Sequence, residues 1–525
     1  MVRAEICMSA DLVLVNGNVI TMNQSAPFAQ AVAVRKDKIV AVGTTSEIQG
    51  WIGKETKVMD LKRKAVVPGL TDSHAHIMWL GYQSSELDLR HVSSIESIQR
   101  QLKKKAEATE KGKWIFGRGW DQDLLKEKRY PTRWDLDEVA FDNPVFIVRV
   151  CGHVGVANSK ALETAGVDKK TAESLGDYVD RDPKTGEPTG LVKEKAVDLI
   201  SGVPKPSRKE LLKACKIALS EAAKVGLTSV TCITGAPGEV YALQKLAGQG
   251  RLPLRVYVMV PIDCLRKFKD RQVDYPYLKV KCVKIFADGS LGARTAALME
   301  PYADEPLATG ILYYSLEQLS ELVKEADSAG FQIAVHVIGD KAVEQTVRAF
   351  EDALGKERVT KHRHRLEHAS VLNPSLIKRI RALGLLATIQ PHFVVSDFWV
   401  IKRLGPERAR WTYAFKSLIE NDVPIAASSD APVEQLSPLL GVWAAVTRER
   451  SPEERLSVME ALRAYTLGAA YSSFEENVKG SIEVGKYADL TVLSHNPLRI
   501  KPDKIKDIKV EMTMVGGRVV YSARN

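Results

Sequence analysis

Apolar and polar positions alternate along the first part of the chain. "ADLVLVNGNVITMN" (10–23) reads as two strands about Asn16-Gly17, and "AVAVRKDKIVAVG" (31–43) repeats the pattern about Lys36-Asp37-Lys38. The far C-terminal region behaves in the same way. "ADLTVLSHNP" (488–497) is followed by "VEMTMVGGRVVYS" (510–522), with Gly516-Gly517 at the turn. Hairpin signals at both ends and a different pattern between them predict one small β domain built from both termini. The expected bounds are 1–63 with 475–525 for that domain and 64–474 for a central domain.

The centre alternates short apolar runs with helical periodicity. The candidate strands are "KAVVPGL" (64–70), "LTSVTCI" (227–233), "LRVYVMV" (254–260), "VKCVKIFAD" (280–288), "FQIAVHV" (331–337), "HRLEHA" (364–369), "LLATIQP" (385–391) and "VPIAASSD" (423–430). Helical patterns such as "RKELLKACKIALSEAAKVG" and "SLEQLSELVKEADSAG" lie between them, each ending in the Gly that a helix C-terminus favours. Eight βα units with buried strands predict a parallel sheet closed into a TIM barrel. Residues of about 85–205 do not fit a minimal barrel. They carry strands of their own ("WIFGRGWD", "NPVFIVRV") and a turn-rich "DRDPKTGEPTG". They predict a subdomain inserted between barrel strands one and two, above the barrel mouth, since a structureless loop of that length is rare.

In such a barrel the reactive groups stand at the C-terminal ends of strands. Strand one offers His74 and His76, strand four Lys284 and Asp288, strand five His336, strand six His368 and strand eight Asp430. Period-two geometry puts His74 and His76 on one face, where two neutral imidazoles suit a divalent metal. Taken singly each has a plain alternative: an HxH pair with no metal, a hydrogen-bonded core histidine, a helix cap at "SSD", a lysine reaching solvent. Their coincidence at one end of the barrel favours a metal centre. His91, His362, His364, His392 and His495 are read as structural or surface, with His392 the nearest to an exception.

Composition narrows the class. The chain has 525 residues, 45% hydrophobic and 27% charged, the profile of a soluble globular protein. A net charge of +10 is mild, and basic residues alternate with acidic ones, which argues against nucleic acid as a partner. No run of apolar residues is long enough for a membrane span, and the first 20 residues lack the features of a signal peptide. Six scattered cysteines (Cys7, Cys151, Cys215, Cys232, Cys264, Cys282) form no CxxC and read as thiols of a reducing, cytoplasmic compartment.

The motifs "VVPGLTDSHAHI", "VKIFADGSLGARTAAL", "AVHVIGDKAV", "RLEHAS", "ASSDAPV" and "GSIEVGKYADLTVL", with "CGHVGVANSKALETAGV" and "GEPTGLVKEKA" in the insert, resemble the amidohydrolase superfamily. The closer resemblance is to its family 3 branch, which includes N-substituted formamide deformylase-like enzymes. The resemblance spans essentially the whole chain. It implies a β-sandwich with a barrel, metal ligands at His74, His76, His336 and His368, and Asp430 as metal-touching base. Lys284 falls where many binuclear members carry a carboxylated lysine. The implied cofactor is a divalent metal, zinc before others, one or two per chain. The implied reaction is hydrolysis of a small-molecule amide, formamide or cyclic amide by metal-activated water, with Asp430 handling the proton. Deamination, lactone or ester hydrolysis, or a non-catalytic scaffold are the alternatives. "HVIGDKAV" lacks the acid that superfamily deaminases place soon after the strand-five histidine, which favours amides. His153 is expected to hold the developing oxyanion or to bind substrate, with Trp120 and Asp288 against substrate. Asp121, Gln122 and Glu194 are weaker candidates. A homo-oligomer such as a dimer is compatible with this reading.

Overall fold

The computed structural model describes residues 9–83, 86–203, 206–269 and 273–523, so Cys7 lies outside the described residues. The chain divides into two compact units: Met1–Ile77, Cys215–Asp288 and Ala296–Asn525 in the first, Met78–Ala214 and Gly289–Thr295 in the second.

The first unit contains a (β/α)8 barrel. Its strands are β1 (Leu70–Ala75), β2 (Leu227–Ile233), β3 (Arg255–Pro261), β4 (Leu278–Phe286), β5 (Gln332–Val337), β6 (Arg365–His368), β7 (Leu386–Ile389) and β8 (Ile425–Ala427). They pair in parallel in chain order. The two ends of this sheet meet through Asp430 N–H to the His74 carbonyl (2.9 Å) and His76 N–H to the Ala431 carbonyl (2.7 Å). Helices follow the strands as the 3.6-residue pattern predicts. Leu316–Ser328 begins at a Ser315/Gln318 capping box, and Gly330, at φ +75°, turns the chain out of it.

Two expectations need correction. The run at 64–70 is not the first barrel strand. Ala65–Pro68 pairs with Leu490–Leu493 and Asn18–Ile20 in a β-sandwich sheet, and the barrel strand starts after Gly69. A Cβ on Gly69 would lie 2.1 Å from the Thr228 hydroxyl, so only glycine lets the chain pass from one layer to the other there. The strands on either side of Asn16-Gly17 also do not form a hairpin. Leu12–Val15 joins a four-stranded sheet with Lys38–Gly43, Ala31–Arg35 and Lys57–Asp60, whereas Asn18–Ile20 joins the other sheet. Leu12, Leu14, Val32 and Val34 of one sheet and Val19, Val66, Leu490 and Met514 of the other bury into one cluster. Burying both apolar faces together requires the chain to change layer at this turn rather than fold back on itself.

The second sandwich sheet runs Arg518–Ser522, Val510–Val515, Leu490–Leu493, Ala65–Pro68, Asn18–Ile20, Phe28–Ala29, so strands from both ends of the chain lie side by side. The predicted turns at Lys36-Asp37 and Gly516-Gly517 both close antiparallel pairs, the latter with φ +54° and +73°.

The second unit is the insert together with Gly289–Thr295. Its six-stranded sheet contains the expected Ile115–Trp120 and Val145–Arg149, and Val179–Arg181 and Pro188–Lys193 flank the turn-rich stretch. Alternate residues serve two clusters: Val145, Ile147 and Leu191 in one, Phe146 and Val192 in the other. Cys215, Cys232 and Cys282 are buried free thiols, and Cys151 and Cys264 are half-buried. No helix among the described residues is long and apolar enough to cross a membrane.

Candidate metal centre

Asp72, His74 and His76 share one face of β1 and its extension. The Asp72 carboxylate accepts the Ser429 amide (3.1 Å), the Ser429 hydroxyl (2.5 Å) and the His74 amide (3.1 Å), which ties β1 to the segment after β8. Burial pushes Asp72 up to about 6, with these donors pulling the other way. Asp430 follows in that segment with φ +59°, a sparsely populated conformation for a residue other than glycine. Its Oδ1 stands 3.2 Å from His74 Nε2 and 3.3 Å from His76 Nε2.

His368 completes this cluster. It ends β6 with φ +74°, which breaks strand alternation and lets Glu367 and His368 both face the barrel interior. The facing nitrogens and oxygens of His74, His368 and Asp430 lie within 4.8 Å of one another. The His368 ring is 4.9 Å from that of His74 and 4.5 Å from that of His336, centroid to centroid. Gln390 fixes its tautomer. The Gln390 amide nitrogen donates to the Ser428 hydroxyl (2.9 Å), so its oxygen faces His368 and accepts from Nδ1–H (2.8 Å), leaving the Nε2 lone pair for the centre.

Electrostatics agree with ligand chemistry. Burial lowers His368 to about 3 and His76 to about 4, so both imidazoles are neutral with a lone pair to offer. Burial opposes ionisation of Asp430, but the nearness of His74 and its hydrogen bond, with those of His76 and the nearby His368, outweigh it and hold the carboxyl well below its usual range. Lys284, on β4, is 1% exposed, and its Nζ has no hydrogen-bond partner among the described residues. Burial lowers it to about 8, against the fields of Glu367 and Asp430. A buried amine, an ionised carboxylate and converging imidazole lone pairs form a donor set that fits a divalent cation.

His336 stands at the end of β5 with Nε2 3.6 Å from Asp288 Oδ1. The Asp288 carboxylate accepts the backbone amides of Ala297, Ile338 and Gly339 at 2.8–2.9 Å. In the second unit His153 Nδ1 lies 2.7 Å from Glu194. Trp120 is fully buried there and donates its indole N–H to the Ile147 carbonyl (3.2 Å). Asp121 and Gln122 bind the Arg149 guanidinium at 2.8 and 2.7 Å. His392 pairs with Glu434.

The supporting residues Glu367, Arg365, Thr388, Gln390 and Asp72 were not singled out from sequence. The available signal was charge and amide inside apolar strands, in "RLEH" and "ATIQP". A second group, Asp327, His362 and His364, also gathers ligand-type atoms. His364 Nδ1 accepts the Ile333 amide (3.1 Å), which puts its proton on Nε2, the atom nearest Asp327. That ring offers no lone pair to an ion at Asp327.

Comparison with known proteins places this geometry in context. The amidohydrolase family model matches residues 57–521. YtcJ of Bacillus subtilis (strain 168) is 35% identical over 524 residues, covering 96% of this chain and 98% of that one. The N-substituted formamide deformylase of Arthrobacter pascens is 27% identical over 538 residues, covering 97% and 98%. Among solved structures, an uncharacterized metal-dependent hydrolase from Pyrococcus horikoshii OT3 superposes with a TM-score of 0.78 at 32% identity, over 94% of this chain and 99% of that one.

Proposed function

The chain belongs to the amidohydrolase family, and from that premise we propose that this hydrolase is metal-dependent and cleaves a carbon–nitrogen bond in a small amide, formamide or cyclic amide. The observation that carries the reading is the convergence of His74 Nε2 and His76 Nε2 on Asp430 Oδ1, at 3.2 and 3.3 Å, beside a His368 whose free lone pair faces the same point. Likeness to a formamide deformylase and to a metal-dependent hydrolase supports the bond type and the metal. His74, His76, His336, His368 and Asp430 would hold the ion or ions, with zinc preferred for its affinity for imidazole. When bound, a divalent ion supplies Lewis acidity, polarising a carbonyl and acidifying water.

The chain's own part is proton handling and placement. Asp430, ionised and inward-facing, takes a proton from the attacking water as its oxygen bonds to the carbonyl carbon. It returns that proton to the nitrogen as the carbon–nitrogen bond breaks, giving a carboxylic acid and an amine. We assign Asp288, occupied by three backbone amides, to buttressing the end of β4 and not to substrate. The proposal also takes the expected β-sandwich domain of residues 1–63 with 475–525, extended to Pro68 because Ala65–Pro68 pairs in its sheet, and a barrel domain that starts after Gly69 and carries the insert.

Metal analysis with an amide, formamide, cyclic amide and ester panel tests the reading. The wild-type protein is expected to carry a divalent metal and to turn over a carbon–nitrogen substrate, and a His74→Ala, His76→Ala variant is expected to lose bound metal clearly. Unchanged metal content in that variant would sink the site.

Lys284 enters the proposal as a carboxylated bridge between two ions. Four histidines are more than one catalytic zinc with an open position requires, since three protein ligands are usual. An ammonium offers a cation no lone pair. The neutral amine can add to carbon dioxide, forming an N–C bond and releasing a proton, and the product is an anionic oxygen ligand. Burial that brings Lys284 to about 8 makes the neutral amine accessible. Protein prepared with bicarbonate and excess metal is expected to show two ions per chain and extra density on Lys284. A single ion beside an unmodified amine would end the binuclear form.

A further inference from the structure

Glu367 is fully buried, lies next to His368 in sequence, and contacts Arg365 on its own strand, Thr388 on β7 and His74 on β1. Its Oε1 accepts from Arg365 Nε at 2.7 Å and from the Thr388 hydroxyl at 3.2 Å. That hydroxyl is itself an acceptor for Arg365 Nη2 at 3.0 Å, so its own hydrogen is turned toward the carboxylate. Arg365 Nη2 also donates to the Ser73 carbonyl at 2.6 Å, which pins β1 one residue before His74. Oε2 accepts from Arg365 Nη2 at 3.4 Å and meets His74 Nδ1.

We propose that Glu367 is a positioning residue that keeps the proton of His74 on Nδ1 and thereby presents Nε2 to a cation beside Asp430; this deepens the metal-centre reading and rests on it. The argument is one of donors and acceptors. Arg365 can only donate, so the carboxylate it grips is an acceptor on both oxygens. An acceptor facing Nδ1 requires Nδ1–H. Whether Nε2 in the metal-free protein is bare or carries a proton toward Asp430, Nδ1 keeps its own, and Nε2 is the atom a cation takes. Gln390 does the same for His368, so two ligands from different strands are set in the same tautomer by different chemistries.

Glu367→Gln inverts the pattern while nearly preserving shape. The Arg365 donors orient the new amide with its oxygen toward Arg365. Its NH2 then faces His74 Nδ1, which must accept, and the ring proton moves to Nε2, where it blocks a cation. Two measurements decide the matter. The first is the nitrogen-15 signature of the His74 ring in metal-free protein. The second is zinc affinity by competition with a chromophoric chelator. Expected are a protonated Nδ1 in the wild type, a protonated Nε2 in Glu367→Gln, and zinc binding weakened roughly 10–100-fold, the usual cost of losing such a partner. Glu367→Asp, which keeps an acceptor, is expected to retain the Nδ1 proton. A bare Nδ1 in the wild type, or an unmoved proton with undiminished affinity in Glu367→Gln, would overturn the proposal. The wild-type ring signal needs no variant, so it decides even if Glu367→Gln fails to fold. If the wild type does not bind zinc at all, the metal-centre reading fails, while the ring signal still settles the role of Glu367.

Discussion

Asp430→Asn is expected to slow turnover by about 10²–10⁴-fold with the metal still in place, the usual range for loss of a positioned acid–base group. The substitution is unusually clean at this position. Asp430 has φ +59°, and asparagine is among the few residues that adopt this conformation readily, so the backbone between Ser429 and Ala431 need not move. The amide oxygen still accepts and still offers a lone pair near His74 and His76. What disappears is the negative charge and with it the capacity to take a proton. The measurement is kcat at saturating substrate, alongside metal content of the same preparation. A metal-replete variant that turns over near the wild-type rate removes Asp430 from proton transfer.

A second large effect is expected far from the metal. Asp489→Ala is expected to destabilise the protein by about 3–5 kcal/mol, the cost of stranding one partner of a buried ion pair. Asp489 Oδ2 accepts from Arg255 Nε at 2.7 Å and Oδ1 from Nη2 at 3.1 Å, with side chains 3% and 6% exposed. Oδ1 also takes the Gly516 amide at 2.7 Å. The guanidinium lies over Tyr487, 3.7 Å from its ring centre, and is left buried without its counter-charge once the carboxylate is gone. Chemical denaturation followed by fluorescence reads the loss as a lowered midpoint of the first transition. The exposed pair Lys224–Glu221 is the control: Glu221→Ala is expected to change stability by under about 1 kcal/mol. Equal effects from the two variants would mean that the Arg255–Asp489 pair does not anchor the terminal strands to the barrel.

The difference between what sequence disclosed and what it hid follows from the range of the forces involved. Seven of the eight barrel strands were legible because burial on both faces writes an unbroken apolar run, and each of those runs sits where a barrel strand formed. Strand one was misplaced because "KAVVPGL" and "LTDSHA" are consecutive apolar-to-polar segments. Only the contact between Gly69 and Thr228 shows where one layer ends and the next begins. Asn16-Gly17 carries the local chemistry of a hairpin, but its strands separate because a cluster including Ile482, Leu490 and Met514, distant in sequence, must be buried with them. Within the centre, His74, His76 and Asp430 announced themselves by residue type. Glu367 did not, because its task depends on the tautomer of a histidine five strands away. Lys284 was visible as a lysine in an apolar strand, though the depth of its burial was not.

The sandwich sheet has one more consequence, which concerns synthesis. The backbone of Leu70 is within hydrogen-bonding distance of the Thr491 hydroxyl, 421 residues later, and Ala65–Pro68 pairs with Leu490–Leu493 in the same region. At elongation rates of about 5–20 residues per second, the earlier strand leaves the ribosome roughly 20–80 s before its partner exists. For that interval Ala65–Pro68 is an apolar strand with an open edge on a nascent chain, and such an edge is a template for wrong pairing. The whole barrel is made while this strand waits, so release of the final β segment, not formation of the barrel, sets the earliest moment at which the first sixty-odd residues can complete their fold.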